Sequence, residues 1–186
     1  MFRLSVDENT YIHLIQIQHA NELFELINQN RKHLRRWLPW VDNMVSPMDC
    51  HSIIPMWIEQ FVKNNGFHGG IRYKEKLVGM IGLHYIDWQN RKTSIGYYLA
   101  KKYEGKGIVT KSVSTVLHYI FEELHLNRVE IRCGVNNNKS RAIPERLGFQ
   151  KEGVLREEEW LHHQFHDIAL YSMLQKDWHI RKNHMC

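Results

Sequence analysis

The chain has 186 residues, 43% of them hydrophobic and 24% charged, with a formal net charge of +5 and a pI near 9.1. That size suits one domain over residues 1–186 with a sizeable core; no run of about 18 apolar residues is present to cross a bilayer; and Cys50, Cys133 and Cys186 have neither metal-ligand spacing nor the even count of a disulfide framework. The positive charge is scattered, which favours small anionic ligands over direct nucleic-acid binding, and residues 1–8 lack a secretory signal's apolar core, so the expected compartment is the cytoplasm, without a membrane partner.

Residues 11–17 alternate apolar and polar side chains and predict an opening strand. Helical spacing follows at Leu23, Phe24, Ile27 and Leu34, and Pro39 breaks it. A second helix is predicted over 47–64, with Ser46 as its cap and Gly66 as its stop. Residues 67–73 and 76–88 predict a hairpin across Lys74-Glu75, the second strand apolar on both faces as in a sheet centre. Residues 93–100 continue the meander. The next helix carries Val109, Val113, Val116, Leu117, Ile120, Phe121 and Leu124 on one face. A strand over 128–135, a short helix after Asn137 and two closing strands near 150–160 and 165–175 complete the order. Cys133 alternates with Val129, Ile131 and Val135, the pattern of a small buried hydrophobe. Among thirteen histidines, the run His162-His163-Gln164-Phe165-His166-Asp167 reads as a polar hairpin connection, and no metal is expected.

Between the meander and the long helix stands Lys102-Tyr103-Glu104-Gly105-Lys106-Gly107. Two glycines let the backbone turn tightly and approach a ligand, and unpaired N–H groups at the helix start attract an anion such as pyrophosphate. No Gly-Lys-Ser/Thr follows, and the three-glycine dinucleotide spacing is missing, so neither ATP nor NAD is implied. The candidate anion residues are Lys102, Gly105, Lys106, Gly107, Ile108, Val109 and Thr110, with Asn137 nearby.

A second block, Asn137-Asn138-Lys139-Ser140 running through Arg146-Leu147-Gly148-Phe149, follows in the same chain. Loop and block together resemble the GNAT acyltransferases, whose coenzyme A loop reads Arg/Gln-x-x-Gly-x-Gly/Ala; Lys102 replaces the first residue. The block and the segment over 30–40 are most similar to the RimJ/RimL-type ribosomal-protein N-terminal acetyltransferases, so the resemblance spans residues 10–176. It implies a mixed α/β fold: a mostly antiparallel sheet of about seven strands with one splayed parallel pair, flanked by about four helices. It also implies acetyl-CoA as cosubstrate, no metal, and an oxyanion-binding backbone N–H near Leu99. Homo-oligomerisation stays open.

Acyl transfer from a thioester to an amine needs an unprotonated amine, a stabilised oxyanion and a proton for the thiolate. Strand alternation in Arg156-Glu157-Glu158-Glu159-Trp160 sends Glu157 and Glu159 to one face, Glu158 and Trp160 to the other. By its distance from Gly148-Phe149, the resemblance makes Glu159 the candidate base, with Glu157 or an ordered water as alternatives, and neighbours such as Trp160 and Leu161 would raise its pKa by desolvation. Many family members protonate the thiolate with a tyrosine where this chain has Pro144; Ser140 matches the RimL-type serine near the sulfur and is otherwise a helix cap. Trp37, Trp40 and Tyr85 are candidates for the acceptor groove or for the core. The expected acceptor is a protein N-terminus, such as a ribosomal protein's serine; a polyamine or aminoglycoside, or a non-catalytic coenzyme-sensing or ribosome-binding role, are the alternatives.

Overall fold

The computed structural model describes residues 2–185. Its sheet begins earlier than the sequence predicts, with β1 (Arg3–Asp7) antiparallel to β2 (Thr10–Leu14). β1 alternates Leu4 and Val6 toward the core with exposed Arg3, Ser5 and Asp7, a half-buried edge pattern short enough to escape notice in sequence. The expected first helix divides into α1 (Ala20–Gln29) and α2 (Arg31–Leu34). Asn30 stands at the break: its amide donates to Leu26 O at 2.8 Å, and its carbonyl oxygen accepts from Lys101 N at 3.1 Å. α3 (Pro47–Val62) starts as predicted, with Ser46 N donating to Asp49 Oδ2 at 2.8 Å.

The meander follows as β3 (Phe67–Tyr73), β4 (Lys76–Asp87) and β5 (Lys92–Leu99). Lys74 and Glu75 take φ of 49° and 63°, the left-handed backbone of a tight hairpin. Then come α4 (Ile108–His118), continued by a π turn over Tyr119–Glu123, β6 (Arg128–Gly134), α5 (Asn138–Leu147), β7 (Gln150–Leu161) and β8 (Gln164–Leu174). α6 (Gln175–Met185) follows where the sequence suggested only the end of a strand. The described residues thus hold eight strands and six α-helices, in the mixed α/β arrangement expected.

The strand order is β1-β2-β3-β4-β5-β6-β8-β7. All neighbours are antiparallel except β5 and β6. One face is covered by α4 and α5, whose Val113, Val116, Leu117 and Ile143 join a core with Ile81, Leu83, Ile131 and Cys133. The other is covered over β3 and β4 by α1 and α3, with Leu23, Ile27 and Ile54 packed toward Leu77 and Met80. Cys133 is 4% exposed, the small buried hydrophobe of the sequence reading.

The parallel pair is short. Lys92 aligns with Arg128, Thr93 with Val129 and Ser94 with Glu130, and no further pairing follows. Ala100 N donates to Val78 O at 2.8 Å on the β4 side. Alternation along the strand therefore turns the N–H groups of Leu99 and Tyr97 to the opposite edge, into the gap between β5 and β6.

Candidate active site

The gap is flanked at its helical end by the glycine turn. Gly105 and Gly107 take φ of 77° and 73°, and a side-chain carbon built on either meets nothing within 4 Å. Gly107 is the N-cap of α4, and the first intrahelical bond runs from Lys111 N to Gly107 O at 3.0 Å. The N–H groups of Ile108, Val109 and Thr110 precede any intrahelical acceptor and face the same open space. Buried Ile108 and Val109 side chains anchor that turn. Lys102 and Lys106 are exposed beside it, their ammonium groups 5.1 and 5.5 Å from the Tyr103 ring centre. Glu104 bridges the loop to His33 of α2 at 3.1 Å and to Lys139 of α5. Arg146 donates to Thr110 Oγ1 at 2.7 Å. The residues present therefore fit a diphosphate: three converging donors, a glycine-lined space and two flexible cations.

Across the gap from this turn, α5 carries Ser140. Asn137 caps the helix, its Oδ1 accepting from Ser140 N at 3.3 Å. The Ser140 hydroxyl is accordingly no cap: it lies 3.3 Å from Cys133 Sγ and 3.4 Å from Tyr97 OH, and Tyr97 OH donates to Ser140 O at 3.0 Å. Tyr97 is the residue the motifs do not mark. Its only signal is phase, since on β5 it faces the core side as Cys133 does on β6. Burial pushes its phenol far above the ordinary range, with Cys133 adding to the shift, so it stays a proton-bearing donor. This division of labour gives a test. Asn137→Ala should cost about 1 kcal/mol, read as a lower melting temperature, whereas Ser140→Ala should leave melting nearly unchanged and reduce turnover less than loss of the base. Equal destabilisation by both would return Ser140 to a capping role.

The base candidates differ from the strand-phase expectation. Leu155 pairs with Ile168 and Glu159 with His166, so three residues, Arg156, Glu157 and Glu158, oppose one. Glu157 takes φ 52° and its N–H donates to Asp167 Oδ1 at 2.8 Å. Glu158 turns to Arg132, 3.4 Å away, instead of sharing a face with Trp160. Two inserted residues keep parity, so Glu159 shares a face with Leu155, Ile168 and the β6 position Gly134. Burial raises the Glu159 pKa against the opposing effect of His166. Trp160 crosses Phe165 at 4.7 Å, both more than half exposed, and contributes no covered wall.

Trp37 lies over Gly134, where an added side-chain carbon would meet its ring at 3.4 Å. Trp40, exposed, tilts against Tyr98 with ring centres 5.5 Å apart. The β7–β8 tip reaches back to this segment, His162 Nε2 lying 2.8 Å from Arg35 O. Trp37, Trp40 and the hairpin tip thus come together on the face opposite α4, the groove side of the sheet. Tyr85 is 55% exposed on β4. No group of three or more His, Cys, Asp or Glu among the described residues is arranged to hold a metal, and no helix there is long and apolar enough to span a membrane.

A family model described as an acetyltransferase (GNAT) domain matches residues 10–150. YdaF of Bacillus subtilis (strain 168), provisionally named a ribosomal N-acetyltransferase, is 44% identical over 180 residues, 96% of this chain and 98% of that protein. The ribosomal-protein-serine acetyltransferase of Escherichia coli (strain K12) is 26% identical over 92% of this chain and 96% of its own length. Among solved structures, the Microcin C7 self-immunity acetyltransferase MccE, in complex with acetyl-CoA and AMP, superposes with a TM-score of 0.88 at 30% identity, covering 91% of this chain and 94% of that one. RimL, the ribosomal L7/L12 alpha-N-protein acetyltransferase in complex with coenzyme A, superposes with a TM-score of 0.90 at 22% identity, covering 95% and 99%, a likeness of fold.

Proposed function

Because the chain belongs to the GNAT acetyltransferase family, we propose that it transfers the acetyl group of acetyl-CoA to the N-terminal α-amine of a protein, a ribosomal protein being the favoured acceptor class. The observation that carries the reading is the gap between β5 and β6, entered from one side by helix-start N–H donors and from the other by an open groove. The N–H groups of Ile108, Val109 and Thr110 receive the pyrophosphate, with Lys102 and Lys106 beside it and Asn137 holding α5 in position. The thioester lies along the gap, its carbonyl oxygen hydrogen-bonded by the backbone N–H of Leu99. Ser140 and Tyr97 supply the proton that the departing sulfur takes up. Glu159 accepts a proton from the attacking nitrogen across the groove that Trp37 and Trp40 border.

Two physical points favour an α-amine. Its pKa of about 7.7–8.0 lies far below that of an alkylamine near 10.4, so modest bases suffice at pH 7. A polycationic acceptor, in turn, needs a net acidic groove, whereas Arg132 engages both Glu130 and Glu158, at 3.4 Å each, and offsets the acidic run. The resemblance to ribosomal-protein acetyltransferases adds the acceptor class.

The test is an acceptor competition read by mass spectrometry that maps the acetyl group. A Ser-initiated peptide should be labelled ahead of its N-formyl form, an internal lysine and spermidine. Preferred labelling of spermidine or lysine would overturn the α-amine reading and leave the coenzyme assignment standing.

A further inference from the structure

The same face of the sheet carries a histidine that no motif marks. Gly82 of β4 aligns with Gly96 of β5, and His84, two residues on, lies on that face with its ring over Gly96. A side-chain carbon on Gly96 would fall 2.5 Å from His84 Nε2, so the ring occupies the space that glycine leaves. Gly96 is two residues beyond Ser94, the last β5 residue aligned with β6. The imidazole therefore stands at the rim of the gap, on the groove side. Part of the residue's surface is open to solvent, while the ring itself is packed down on Gly96. Its Nδ1 is 2.9 Å from Ser94 Oγ, and Nε2 makes no hydrogen bond to the described residues.

We propose that His84 is a further catalytic residue of the acetyl transfer, with Ser94 as its positioning residue, and that Nε2 takes the first proton from the incoming α-ammonium group. The inference rests on the α-amine reading above. With Nδ1–H donated to Ser94 Oγ, the lone pair is on Nε2, the ring atom nearest Gly96.

Two protons must leave the nitrogen. The ammonium gives one to Nε2, forming imidazolium and free amine. The nitrogen lone pair then makes the C–N bond to the thioester carbonyl, and its second proton passes to Glu159. The C–S bond breaks with its electron pair on sulfur, which is protonated from the hydroxyl pair. Each protein group returns to its starting state through water, and the net release is one proton.

The surroundings keep the ring ready. Arg132 faces it from β6, paired in turn with Glu130 and Glu158. His68 approaches from β3, 3.2 Å from Gln60 Oε1 and stacked on Trp57 of α3 at 4.5 Å. Burial, and then the Arg132 charge, hold the His84 pKa below its ordinary value, and His68 is held down to about 4, so both are neutral at pH 7.

The decisive experiment compares pH profiles of kcat/KM for a Ser-initiated peptide. His84→Gln should lose about 10²-fold at pH 7, and the deficit should shrink to less than about threefold by pH 9, where the α-amine has already lost its proton. Glu159→Gln should show a deficit at both pH values, because its proton leaves only after the C–N bond forms. Coenzyme affinity should be unchanged in both. Ser94→Ala should give a smaller loss with the same pH dependence, and carries the test if His84→Gln does not fold. A deficit independent of pH, or wild-type rates at pH 7, refutes the role of His84 alone. Absence of peptide turnover by the wild-type protein refutes the α-amine reading, and this inference falls with it.

Discussion

Glu159→Gln is expected to lower kcat/KM by about 10²–10⁴-fold, the range for removing a general base, with coenzyme affinity unchanged. The substitution keeps the side chain's size and its hydrogen-bonding reach but removes the proton acceptor. Position favours Glu159 over its neighbours. Its side chain shares the groove face with Gly134, under Trp37, whereas Glu157 sits in a left-handed bulge tied to Asp167 and Glu158 is engaged by Arg132. Burial raises its pKa, so a base-dependent rate should fall on acidification sooner than for an ordinary carboxylate. Steady-state and single-turnover rates with a Ser-initiated peptide check the result. An unimpaired variant whose chemical step limits turnover would transfer the role to Glu157 or to an ordered water.

Gly107→Val should raise the coenzyme dissociation constant by about 10²-fold, about 2.8 kcal/mol at 1.4 kcal/mol per decade. Two effects act together. A φ of 73° is left-handed, and a β-branched side chain there is strained by about 1–3 kcal/mol. The added carbons also project into the open space over the N–H groups of Ile108, Val109 and Thr110, where the anion must approach. Isothermal titration gives the constant, and thermal melting with and without acetyl-CoA gives an independent measure, because a ligand stabilises only the state that binds it. Gly107→Ala, with less bulk and no β-branch, should lose less. Equal affinity of wild type and Gly107→Val would remove the turn from the coenzyme site.

The glycine turn, the Asn137 block, the Ser46 start of α3 and the Lys74-Glu75 hairpin were all legible in the chain, because each is governed by residues within about one helical turn or hairpin of one another. Helix periodicity likewise identified the buried side of α4, since 3.6 residues per turn places Val109, Val113, Val116 and Leu117 together whatever they pack against. The same local logic failed at residues 156–158. Strict alternation assumes an unbroken ladder, and the bulge there depends on Asp167, ten residues away on the facing strand.

Tyr97 and Ser140 are 43 residues apart, and His84 meets Ser94 across two neighbouring strands. Neither pair has a spacing that a motif can encode. What joins them is non-local: β5 and β6 align over three residues and then part, turning N–H groups of β5 toward the opening and leaving a floor of small residues, Gly96 and Gly134, on the groove face. Sequence by itself therefore determined which segments turn, cap and bury an apolar side, because those preferences come from covalent geometry and neighbouring side chains. Only the tertiary structure decided where the two strands part and which residues lie beside the opening, because the parting of two strands is set by packing on both faces of the whole sheet.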